Sequence, residues 1–232
     1  DAQIFDIAQG PNGLMYFANK IGLLEYDGVR WQTIKIMDGK EVRSVACSEN
    51  NIYIGGKGFM GCLLPDSTGN LTFSSFDHLL ATDSDIEMIE NIIIDAQGKV
   101  FFQSNSAIYV YSDSKIQVIN AKEGFPFRES FLMNGVYLVG VDGQGLLKYD
   151  GTALDSYYSN PFLNDATIQG VFSFNGLELV ALDGFGLYYL ADTLEKIPIP
   201  TLRTSAIYRS IQINKNLVSI GTVGDGVYLY TN

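Results

Sequence analysis

Short apolar runs separated by turn residues fill this chain from one end to the other. The first stretch shows four β-rich segments, Ile4 to Ala8, Leu14 to Ala18, Leu23 to Tyr26 and Trp31 to Ile36. They are broken by Gly10-Pro11-Asn12-Gly13, by Asn19 to Gly22 and by Asp27-Gly28, which predicts four short strands joined by tight turns. Asp-Gly and Asn-Gly between apolar runs supply the positive φ angles of hairpins, so the strands form an up-and-down meander. No segment carries a convincing helical period, and no helix is expected.

The pattern then returns. Gly22-Leu23-Leu24-Glu25-Tyr26-Asp27-Gly28 reappears as Gly145-Leu146-Leu147-Lys148-Tyr149-Asp150-Gly151, with variants at Gly61, Ala107, Gly186 and Gly226, a spacing of about forty residues. Six copies, at about 1–40, 41–85, 86–124, 125–165, 166–205 and 206–232, occupy one domain. Four-stranded meanders at this period, without helices, predict an all-β fold, a β-propeller of about six four-stranded blades. A β-sandwich is the weaker alternative, since it has no reason to repeat one motif. The last copy stops after its third strand, and Asp1 to Gln3 are too short to replace the fourth. The expectation is a six-bladed ring with an incomplete last blade, or part of a seven-bladed one.

Composition narrows the partners. The formal net charge of -11 would repel a phosphate backbone, so neither nucleic acid nor direct contact with an anionic membrane is expected. No apolar run reaches the roughly 20 residues of a spanning helix. Cys47 ends one predicted strand and Cys62 lies two strands away, near 10 Å at about 4.8 Å per strand. That is too far for a disulfide, and both read as buried small hydrophobes.

The stretch Asp6-Ile7-Ala8-Gln9-Gly10-Pro11-Asn12-Gly13-Leu14-Met15-Tyr16-Phe17-Ala18-Asn19, running into Gly22 to Trp31, resembles the opening of the two-component regulator propeller family. Val42-Arg43-Ser44 and the region from Gly61 to Asn70 extend the likeness, and later copies match in architecture only. The resemblance implies the periplasmic sensor region of a Bacteroidetes-type regulator. There the propeller precedes a triple-tyrosine domain, a membrane helix and a cytoplasmic output module. It implies a non-catalytic domain and names no ligand, though some relatives are linked to polysaccharide sensing. The expectation is that an oligosaccharide or a partner protein binds and that, in a homodimer, this contact shifts one propeller against the other. It transfers no binding residue.

The search for chemistry turns up little. His78 is the one histidine and reads as a surface residue on or just after an outer strand. With two separated cysteines beside it, no zinc site of normal spacing can be drawn, and no cofactor is expected. No nucleophile elbow or phosphate loop appears. A propeller lyase or hydrolase built on acids or tyrosines is the third reading, behind a sensor and a plain interaction scaffold.

Two sets of candidate ligand-binding residues remain. Asp142, Asp183 and Asp225 sit in Asp-Gly turns between second and third strands, and would offer carboxylates to a cation or a sugar. Phe59 and Phe185 at such tips would stack on a sugar ring. The other set comes from aligning first strands. One column, Asp6, Ser44, Asn91, Ser130, Gly170 and Ser210, is small, as crowding requires. The preceding column is Phe5, Arg43, Glu90, Glu129, Gln169 and Arg209. Its long polar side chains would project at the channel mouth, either neutralising one another or binding carboxylates and hydroxyls through forked donation. Trp31 and the recurring Tyr26, Tyr111, Tyr149 and Tyr230 are placed in the core.

Overall fold

Each repeat folds into one antiparallel meander. The computed structural model describes residues 3–231 except Asn12, 82–84, 200–201 and 203–205, so Asn12 of the first turn, Asp1 and Asn232 lie outside the described residues. The first blade is β1 (Ile4–Gln9), β2 (Met15–Asn19), β3 (Gly22–Tyr26) and β4 (Trp31–Ile34). The second is β5 (Ser44–Cys47), β6 (Ile52–Gly56), β7 (Phe59–Pro65) and β8 (Leu71–Ser75), and the third is β9 (Asn91–Ile94), β10 (Val100–Gln103), β11 (Ala107–Ser112) and β12 (Lys115–Asn120). The fourth is β13 (Phe127–Met133), β14 (Val136–Val141), β15 (Gly145–Tyr149) and β16 (Leu154–Tyr158). The fifth is β17 (Ile168–Phe174), β18 (Leu177–Leu182), β19 (Gly186–Leu190) and β20 (Leu194–Lys196). The sixth has three described strands, β21 (Ile207–Asn214), β22 (Leu217–Thr222) and β23 (Val227–Thr231). These are the blades of a six-bladed β-propeller. They fall into two compact units, Asp1–Lys122 and Glu123–Asn232, with three blades in each.

Period-two alternation in the strands sends neighbouring side chains to opposite faces, and in the middle blade of each unit both faces pack against a neighbour. In β6, Tyr53 joins a cluster with Ile92, Phe102 and Tyr109 of the third blade. Its neighbour Ile54 joins Tyr16, Ala18 and Leu23 of the first. The second unit repeats the scheme: Phe172 and Leu179 pack toward Val218 and Ile220 of the sixth blade, while Val171 and Val180 pack toward Leu138 and Leu146 of the fourth.

Three expectations change. A short helix, α1 (Pro161–Asp165), starts where Asn160 Oδ1 accepts from the amide of Phe162 at 2.9 Å with a proline just inside, a local start signal too short for a periodic test. Trp31 is 59% exposed instead of buried. Its register with Tyr26 and Met15 places it on the face of the first blade turned away from the second, where it stacks on Tyr26 at 4.5 Å. The recurring tyrosines are half-buried. Tyr111 and Tyr230 do pack between blades, on Phe76 and Phe174. Tyr26 and Tyr149 also donate their hydroxyls to the carbonyls of Gly28 and Gly151, at 2.6 Å each, closing the turn whose Asp caps the next amides.

Candidate functional site

Within each unit the first strands of successive blades lie side by side without forming a common sheet. Their backbone groups therefore need other partners, and the column of small polar residues supplies them. Asp6 Oδ2 accepts from the amide of Val45 at 2.9 Å, and Ser44 Oγ donates to the carbonyl of Ile89 at 3.0 Å. In the second unit Ser210 Oγ donates to the carbonyl of Gln169 at 2.6 Å. Gly170 has no room for more: a Cβ there would lie 2.2 Å from Ser210 Oγ. The crowding expected from the sequence is met, and the polar atoms also tie blade to blade.

The long side chains one position earlier pair with one another. Arg43 Nε donates to Glu90 at 2.8 Å, and its guanidinium lies 4.6 Å from the ring centre of Phe5. In the second unit Arg209 pairs with Glu129, with Gln169 on the intervening β17. Each arginine already has a carboxylate partner, so part of its forked donor is in use before any ligand arrives.

The turn residues scatter in role. Both carboxylate oxygens of Asp142 are held by Arg128 of the same blade. Asp183 is half-buried, and its Oδ1 has no hydrogen-bond donor among the described residues. Asp225 is exposed. Phe185 is 42% exposed, edge-on to Phe162 of α1 at 4.9 Å. Phe59 corrects the expectation outright: it is 0% exposed, packed edge-on against Phe73, and cannot stack on a sugar. Its position at the start of β7 faces the cluster shared with the first blade. His78 lies in a short 3-10 turn after β8, exposed, with Nδ1 3.0 Å from the carbonyl oxygen of Ser75. Cys62 is buried and Cys47 half-buried, both free. No described cluster of His, Cys, Asp and Glu would hold a metal.

An open hollow among the described residues lies elsewhere. At the opposite end of the first strands in the first unit, the β1–β2, β5–β6 and β9–β10 turns surround an open cleft of about 1010 Å³. Gln9, Glu49, Asn50 and Gln97 stand exposed along it, and Cys47, Tyr53 and Ile94 line its apolar part. The turns are rigid for a local reason. Asp95 Oδ1 accepts from the amides of Gln97 and Lys99, at 2.9 Å each, and Ser48 Oγ accepts from the amide of Asn51 at 3.1 Å. Burial, and secondarily the carboxylate of Asp6, raises the Cys47 thiol to about 11, so this part of the cleft is uncharged at neutral pH. Sequence reasoning missed this cleft. Its signal was the recurrence of Asn- or Gln-bearing first turns, 9–13, 48–51 and 95–98, at equivalent places in three blades.

No protein-family model matches the chain, and no curated protein matches it. Solved structures do. The extracellular domain of a one-component system of B. thetaiotaomicron superposes with a TM-score of 0.73 at 12% identity, over 100% of this chain and 32% of that one. The extracellular domain of a hybrid two-component system of B. thetaiotaomicron gives 0.71 at 16% identity, over 98% and 33%. YCF48 bound to a D1 peptide gives 0.74 at 11% identity, over 100% and 78%. The chain thus spans about a third of the length of the two bacterial domains, and no described helix is long and apolar enough to cross a membrane. With six meanders tied first strand to first strand within each unit, the chain has a β-propeller fold, which it shares with these two extracellular domains.

Proposed function

We propose that this chain is a non-catalytic, extracytoplasmic sensor propeller of a bacterial two-component-type regulator, recognising a ligand or partner through its loops. The observation that carries the reading is the match of the whole chain to extracellular domains of such regulators. The self-paired arginines favour a ligand that replaces a carboxylate partner, or a neutral oligosaccharide accepting from the guanidinium edge. The test is a thermal-shift screen of the domain against oligosaccharides, small acids and divalent cations, beside an Arg43→Ala, Arg209→Ala double variant. Stabilisation of the native chain alone supports a sensor reading through these residues. Silence across the panel with both proteins folded argues against it.

A second reading, an interaction scaffold without a small ligand, has one observation in its favour. On the sixth blade Ile211, Ile213, Val227 and Leu229 are 65%, 55%, 67% and 63% exposed, an apolar face of the kind that marks protein contact. Light scattering across a concentration series, with an Ile211→Ser, Leu229→Ser variant, separates the two. Self-association lost in the variant supports the scaffold.

A further inference from the structure

We propose that the cleft between the first turns of the first three blades binds a basic peptide segment. Charge comes first. Among the described residues lining it, Glu49 and Asp95 are the ionised side chains and no Lys or Arg is present, in a chain of net charge -11. Such a hollow excludes carboxylates and phosphates and attracts cations. One Asp95 oxygen, Oδ1, serves the turn.

The remaining side chains select a peptide over a free cation or a sugar. Gln9, Asn50 and Gln97 are amides, each carrying both a donor and an acceptor, which is the complement of a peptide backbone. A metal ion would need several carboxylates converging at one point, and no described cluster does this. Sugar sites usually offer an exposed aromatic face, but Tyr53, the aromatic residue lining this cleft, is 7% exposed. A volume of about 1010 Å³ exceeds what a single side chain fills and lies at the upper end of small-ligand pockets. The partner is therefore a short extended segment carrying Lys or Arg, with the amides meeting its backbone and Glu49 and Asp95 its charge. This site is separate from the arginines considered above, and stands or falls apart from the sensor reading.

The test is a fluorescence-anisotropy titration of the whole chain with a fluorescein-labelled peptide of alternating Gly and Lys. A Gly–Glu counterpart and maltopentaose serve as competitors. Glu49→Gln is expected to weaken binding about fivefold, the scale of one partly solvated charge pair. Asp155→Asn, which removes an exposed carboxylate of β16 in the other unit, should leave binding unchanged. Gln97→Ala is the second cleft variant, should Glu49→Gln not fold. Equal losses in the Asp155 and cleft variants would mean only general attraction to an acidic protein and would overturn the proposal. So would absence of binding, or displacement of the peptide by maltopentaose but not by unlabelled Gly–Lys peptide.

Discussion

The two ends of the first strands in the first unit make opposite use of polar residues. At one end Phe5, Arg43 and Glu90 lean together into a stacked ion pair. At the other, the turns after β5 and β9 spend Ser48 and Asp95 on their own amides, the turn after β1 closes through its backbone, and a cleft is left between the three. Long flexible chains reach across from blade to blade and pair with one another. Short side chains committed to a turn cannot, so the hollow survives where no long residue spans it.

The largest expected effect tests the framework under the ion-paired end. Phe59→Ala should cost about 4 kcal/mol, since it empties a fully buried aromatic site between the first two blades. Urea denaturation measures it. A variant of native stability that had lost a ligand response would return Phe59 to the binding residues and reverse the comparison.

Why the one end was legible and the other was not follows from what each is made of. The meander and its turns are written locally: Tyr26-Asp27-Gly28 and Tyr149-Asp150-Gly151 specify a hairpin from their own side chains. The small column from Asp6 to Ser210 followed from crowding alone. The charge of Arg43 and Glu90 was visible too, but whether they meet each other depends on the offset between neighbouring blades, which no local pattern sets. Phe59 reads as a tip residue because the repeat motif of its blade begins at Gly61, whereas β7 already includes it. The cleft is a property of the space between three turns, and none of its residues is unusual alone.

Next in size comes the inter-blade hydrogen bond. Ser44→Ala removes a buried donor from the carbonyl of Ile89 and should cost about 1 to 2 kcal/mol. Arg43→Ala removes a pair whose side chains are 35% and 33% exposed, and solvent screening holds its cost to about 0 to 1 kcal/mol, shrinking further in 1 M salt. The order Ser44 before Arg43 is the point: the short residue carries more stability than the long ionic one. A reversed order in parallel melts at low and high salt would make the ion pair the main tie.

An effect absent at neutral pH reports on the open end. Burial lifts the Cys47 thiol from 9.0 to about 11, so between those values the unfolded chain loses a proton that the folded chain keeps. Stability is therefore unaffected by this group below about pH 9 and falls as pH rises toward 11. Alkylation by iodoacetamide, read by mass spectrometry on a Cys62→Ala background, should rise through about pH 11 and not through 9. Because Cys47 lines the cleft, the Gly–Lys peptide should slow that alkylation. Free thiol reactivity with a midpoint near 9 would mean that Cys47 is as solvated as a surface residue, and that the hollow above it is not the bounded site its turns describe.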